Sequence, residues 1–260
     1  MPASGEVWGI SFDHFAAPCP RHLTVEQIAG HYAECIRSRW SDDVPTVLVG
    51  WSMGGTIAAQ MALELGDHCP ELVLLDSVGP GSRVDVGGRS GAAGFDLAGE
   101  QQLIGGYDPG LLPHQRVTDV EELWREVSAR VPATGAEAEL VAGLARTVSP
   151  DLAEDVLPAG GRASVEQFNT LRTLIGARNT YRPCGTVPRG LVIEATDGES
   201  TAAHSWSGLL PEQMTQTSIE GNHYSIMMAD AGLTAGIISD YLDSIMVCPC
   251  ASGTTGQAIA

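Results

Sequence analysis

The stretch Val47-Leu48-Val49-Gly50-Trp51-Ser52-Met53-Gly54-Gly55-Thr56-Ile57-Ala58-Ala59 decides how the rest of the chain is read. Three consecutive apolar residues, Val47 to Val49, suit a strand covered on both faces. From Met53 to Leu65 the residues favour a helix, and Gly66 supplies its stop. Between them lies Gly-x-Ser-x-Gly, so strand, sharp turn and helix follow within a few residues, the order that exposes a strained hydroxyl. Gly50 and Gly54 are expected to relieve crowding in that turn, and Gly55 to let the helix sit close to the sheet. Ser52 would then stand at a helix N-terminus, where the N–H of Met53 faces developing negative charge. The plainer alternative is a glycine-rich turn in which Ser52 only caps the helix.

Composition bounds what this turn can belong to. The chain has 260 residues, 43% of them hydrophobic and 18% charged, enough for one sizeable core with an elaboration. Its formal net charge is −18, and all 14 basic residues are arginine. Such a surface repels nucleic acid and anionic membranes. The six cysteines show no CxxC spacing, and the start MPASGEVWGI lacks the regions of a signal peptide. No apolar run approaches the roughly 18 residues of a membrane span. A soluble, cytoplasmic protein with reduced thiols is expected. No metal-ligand spacing and no cofactor motif is read.

Outward from the turn, strands and helices alternate. Glu6 to Phe12 (EVWGISF) reads as a strand, and Thr24 with Gln27 forms a capping box for a helix reaching about Trp40, with Ile28, Tyr32 and Ile36 on one face. Glu71 to Asp76 (ELVLLD) is a second buried strand, so the first 76 residues read as βαβαβ. From about 80 to 185, glycine-rich joints separate three helical segments, near 118–131, 135–147 and 163–178. An insertion of that length between core strands suggests a lid. Its Leu111, Leu112, Leu123, Trp124 and Val127 suggest an apolar pocket. The core resumes with strands at Gly190 to Ala195 and Met214 to Ile219 and a closing helix from Leu233 to Ile245, before a tail over 248–260. The expectation is one α/β-hydrolase domain, a mostly parallel sheet flanked by helices, with its core at 1–79 and 186–247.

A serine hydroxyl needs a base. Of the seven histidines, His223 follows the last strand in Glu220-Gly221-Asn222-His223, at the C-terminal sheet edge where such folds build their sites. His14, His22, His31, His68 and His204 lack that placement, and His114 falls in the presumed lid. The imidazole in turn needs a carboxylate. Asp76 and Asp197 each end a core strand at the same edge, and spacing does not choose between them.

VLVGWSMGGTIAAQMALELG, ELVLLDS and GNHYSIMM together resemble the terminal (type I) thioesterase domains of nonribosomal peptide synthetases and polyketide synthases, members of the α/β-hydrolase superfamily. The resemblance covers most of the chain. It implies Asp76 as the triad acid, since that family places the acid after the strand that follows the nucleophile, whereas editing thioesterases place it one strand later, like Asp197. It also implies an acyl or peptidyl chain carried on the phosphopantetheine of a carrier protein, taken by Ser52 as an ester and released by hydrolysis or cyclisation. Arg178, Arg182 and Arg189 are candidates for carrier docking. The family's N-terminal strand pair and oxyanion-binding loop have no counterpart here, which leaves the N–H of Met53 as the recognisable oxyanion donor. Two alternatives follow: a free-standing editing thioesterase or esterase using Asp197, and a binding module whose catalysis is impaired by the missing loop.

Overall fold

The computed structural model describes residues 6–10, 23–39, 46–66, 69, 71–77, 79–80, 97–130, 174, 176–178, 180–186, 189–197, 206 and 214–246. At its centre four strands lie side by side in chain order: β1 (Val47–Trp51), β2 (Glu71–Leu75), β3 (Gly190–Ala195) and β4 (Thr215–Ile219). All three pairings are parallel, with Trp51 beside Leu75 and Leu75 beside Ile193. The C-terminal ends of β1, β2 and β3 therefore come to a common rim.

Among the described residues there are five helices of eleven or more residues: α1 (Val25–Arg39), α2 (Met53–Leu65), α3 (Leu97–Tyr107), α4 (Val120–Arg130) and α5 (Ala231–Met246). The alternation of a strand divides the core into two layers. Leu72 and Leu74 of β2 pack with Ile57, Met61 and Leu65 of α2 and Ile28, Tyr32 and Ile36 of α1. Val73 and Leu75 turn to the other face, where they meet Leu191, Ile193, Ile219 and Ile226, with Ile237, Ile238 and Tyr241 of α5 packed against them. Each fully buried Ile or Leu contributes about 1.5–3 kcal/mol of transfer free energy. The capping box forms as expected: the Thr24 N–H donates to Gln27 Oε1 at 3.0 Å and the Gln27 N–H to Thr24 Oγ1 at 3.2 Å.

The opening strand is a correction. Residues 6–10 carry no strand and pair with none of the four, and 11–12 lie outside the described residues. A strand needs a partner for its N–H and C=O groups. Here Val7, Trp8 and Ile10 are exposed instead, with the Trp8 indole donating to Glu6 and the Arg39 guanidinium 4.4 Å from the centre of a Trp8 ring. Among the described residues of the first 76 the order is thus αβαβ.

Between β2 and β3, α4 matches the helix expected near 118–131. The 135–147 segment lies outside the described residues, and of 163–178 only Leu174 and residues 176–178 are described, all helical. α3 was not anticipated. It packs on α4, whose Trp124 Nε1 donates to the buried Glu100 carboxylate of α3 at 3.0 Å. Leu123, Trp124 and Val127 are at most 2% exposed, alongside the fully buried Ile104 of α3. These three residues are thus buried side chains of α4. Leu111 and Leu112 are half-buried.

Candidate active site

The turn after β1 holds Ser52 at φ 54°, and the residue ending β2, Asp76, at φ 40°. They are the non-glycine residues with positive φ among those described, and such strain costs on the order of 1–3 kcal/mol each. The packing around them explains why the backbone holds. The Ser52 N–H donates to Leu75 O at 3.0 Å, and the Asp76 N–H donates to Ile193 O at 2.7 Å, so each strained residue continues a ladder. A side chain on Gly50 would place a Cβ 2.4 Å from the Gly54 carbonyl oxygen. One on Gly55 would fall 1.9 Å from the hydroxyl of Ser77, which itself donates toward Gly50 O and Leu75 O, both at 3.1 Å. Gly54 is different from the expectation: a Cβ there meets nothing within 4 Å, so the turn does not need its small size for space. The Ser52 hydroxyl makes no capping hydrogen bond to α2, which removes the plainer reading of this serine.

Asp76 and His223 meet across the rim. The His223 Nδ1 lies 2.6 Å from Asp76 Oδ2, and the other carboxylate oxygen accepts the Ala195 N–H at 3.1 Å. Both side chains are partly buried, 32% exposed for His223 and 18% for Asp76, so the pair is sheltered yet reachable. With Nδ1 engaged, Nε2 is the nitrogen left to exchange a proton. Asp197 comes close in the backbone, its N–H donating to Gly221 O at 2.8 Å, but it is exposed and its carboxylate reaches the Thr196 hydroxyl at 3.4 Å. The carboxylate that meets His223 is that of Asp76.

Trp51 is the residue that the sequence reading missed. Its indole stacks on the His223 ring, with centroids 4.7 Å apart and planes 24° apart, and its Nε1 donates to His223 O at 3.1 Å. It thus fixes both ring plane and backbone of the histidine loop. Its position between Gly50 and Ser52 was the available signal, but nothing about an "x" in that motif announces a contact with a residue far along the chain. The loop itself is tied by Asn222, whose Oδ1 accepts the N–H groups of Tyr224 and Ser225, both at 3.0 Å. Met53 opens α2, and its N–H belongs to the first turn, which has no intrahelical acceptor. His31 and His114 are exposed, and His14, His22, His68 and His204 lie outside the described residues.

The three arginines differ in their surroundings. Arg178 is 7% exposed, Arg182 donates to its neighbour Tyr181 O at 2.5 Å, and Arg189 lies at the N-terminal end of β3, 2.9 Å from the buried carboxylate of Glu71. Arg178 is therefore not part of an exposed surface, while Arg182 and Arg189 are exposed. Among the described residues no group of three or more potential metal ligands occurs, and no helix is long and apolar enough to cross a membrane.

The family model for the thioesterase domain matches residues 6–244. The chain belongs to the thioesterase domain family. Among solved structures, this thioesterase domain is similar to holo-AB3403, a four-domain nonribosomal peptide synthetase bound to AMP and glycine, at 19% identity and a TM-score of 0.53 over 90% of this chain. It spans 16% of that synthetase's length. It is also similar to the NocB thioesterase domain in covalent complex with a fluorophosphonate nocardicin G analog, at 20% identity and a TM-score of 0.50, covering 90% of this chain and 78% of that one. At these identities the likeness concerns the fold, which is that of an α/β-hydrolase. No curated protein matches the thioesterase domain significantly.

Proposed function

We propose that this thioesterase domain acts as a serine acyl-transferase of the terminal type, releasing an acyl or peptidyl chain from the phosphopantetheine thioester of a carrier protein. The observation that carries the reading is the 2.6 Å contact between His223 and Asp76 at the rim where the strained, uncapped Ser52 stands. In this mechanism His223 Nε2 takes the Ser52 proton as the hydroxyl attacks the thioester carbonyl. Asp76 holds the tautomer and stabilises the imidazolium. The Met53 N–H supports the oxyanion. Collapse expels the thiol, which receives the proton from His223, and leaves the chain as an ester on Ser52. Water, or a hydroxyl or amine of the chain itself, then repeats the sequence in reverse and frees an acid or a ring. No cofactor enters these steps.

The position of the acid supports the terminal type over the editing type, because Asp76 and not Asp197 bonds to His223. The segment from about 80 to 185, with the α3–α4 pair, is the proposed lid. The test is labelling by a fluorophosphonate probe, the chemistry that the NocB structure contains. Stoichiometric modification at Ser52 with turnover of acyl N-acetylcysteamine thioesters is expected. A folded sample that neither labels nor turns over would favour a binding module instead.

A further inference from the structure

Among the described residues, Arg178 is a cation whose surroundings contradict its charge. It lies in the helical turn 176–178, is 7% exposed, and neither its Nε nor its Nη2 finds a hydrogen-bond acceptor among the described residues. Burial lowers its pKa to about 10, so it remains a cation at neutral pH. Removing an ion from water costs several kcal/mol unless a partner compensates, and proteins seldom keep an unpaired guanidinium inside.

Two features give this anomaly a direction. First, Nε and Nη2 form one side of the guanidinium fork, two parallel donors whose spacing fits the two oxygens of a carboxylate or phosphate. Both are left open together, while an accidental loss of one bond would leave a mixed pattern. Second, the turn is fixed beside the candidate active site. Ala177 and Tyr181, on either side of Arg178, are buried with Val25, and Met53, the residue after Ser52, packs against that group. The Tyr181 hydroxyl donates to Gln60 Oε1 of α2 at 2.8 Å, which fastens the turn to the helix that Ser52 opens. In a chain of net charge −18, a sheltered cation on a turn that packs against the first residue of α2 is also what an anionic substrate would require to enter against the general field.

We propose that the Nε/Nη2 edge of Arg178 receives a carboxylate or phosphate oxyanion of the acyl-thioester substrate and so selects for negatively charged substrates. The inference rests on the thioesterase reading above. The oxyanion has two sources, a carboxylate on the acyl chain or the phosphate of the pantetheine arm, and two substrate pairs distinguish them. One pair is glutaryl-N-acetylcysteamine against its methyl ester. The other is one neutral acyl group on phosphopantetheine against the same group on pantetheine.

The wild-type chain is expected to favour the anionic member of one pair by at least about tenfold in kcat/KM, as a charged hydrogen-bonded pair would give. Arg178→Met should reduce that preference to within about twofold, mainly through KM, while fluorophosphonate labelling of Ser52 continues. If Arg178→Met does not fold, Arg178→Lys takes its place. It keeps the charge but loses the paired donors, and should lower the preference at least threefold. No preference in either pair, or a preference unchanged in the variant, overturns the proposal when Ser52 still labels. Absence of Ser52 labelling in the wild type is the separate failure of the thioesterase reading.

Discussion

Strand β2 carries a carboxylate near each end, and the two are treated in opposite ways. Glu71, at the N-terminal end, is 3% exposed and is enclosed by Arg189 at 2.9 Å and by the Tyr241 hydroxyl, which donates to its other oxygen. Its backbone lies in the regular ladder. Asp76, one residue past the C-terminal end, sits at φ 40°, is partly exposed, and divides its oxygens between a backbone N–H and an imidazole. Glu71 fastens β2 to α5 and β3. Asp76 holds the His223 imidazole at the rim. One end of the strand thus favours stability, while the other stores strain in a geometry that chemistry can use.

The sharpest way to break this contrast is at the rim. Asp76→Asn should cut kcat for an acyl thioester by roughly 10⁴-fold, because the amide would favour the wrong imidazole tautomer. Asp197→Asn should leave kcat within about twofold, and steady-state kinetics on both variants reads the difference. At the other end, Glu71→Ala should lower stability by about 1–3 kcal/mol, since the Tyr241 hydroxyl loses its acceptor, while kcat/KM changes little. Denaturant unfolding beside the same kinetic assay checks it. A large loss of turnover without loss of stability would mean that the two ends are not separate in role.

Smaller effects sharpen the picture of the turn. Gly55→Ala must displace Ser77 and should destabilise by about 2 kcal/mol or more, whereas Gly54→Ala, with open space around it, should be close to neutral in thermal melting. Among the described cysteines, Cys35 and Cys184 are exposed and Cys69 is buried, with its thiol pushed up by burial from 9.0 to about 11. Because the folded state raises that pKa, Cys69 contributes stability that is present below pH 9 and is lost as pH rises through about 11. Iodoacetamide at pH 8 should therefore modify Cys35 and Cys184 and spare Cys69, as peptide mass mapping would show.

What the sequence disclosed follows the range of the interactions concerned. The capping box at Thr24–Gln27, the strand–Ser52–helix turn and the continuous apolar runs of β2 and β3 rest on near neighbours, and each formed where its residues implied. Glu6 to Ile10 has an equally apolar pattern, but a strand is made by its partner, and pattern does not reveal whether a partner is in reach. Leu123, Trp124 and Val127 were legible as apolar side chains of the insertion, while the hydrogen bond from Trp124 to Glu100 of α3 was not. At the site, Ser52 and His223 were visible through the turns that bear them. The choice of Asp76 over Asp197 as the residue meeting His223, and the stacking of Trp51 on that ring, depend on side chains joined only by the folded sheet. Arg178 reads in the sequence as a candidate for carrier docking beside Arg182 and Arg189, and its burial follows from packing no local pattern records.

The most direct measurement is the mass of the intact chain, quenched in acid within the first turnovers of a synthetic peptidyl thioester. A population heavier by one acyl group, mapped by peptide sequencing to Ser52 and absent from Ser52→Ala, is the expected result. Thioester turnover that proceeds at the wild-type rate in Ser52→Ala, with no acylated species at any quench time, would contradict it.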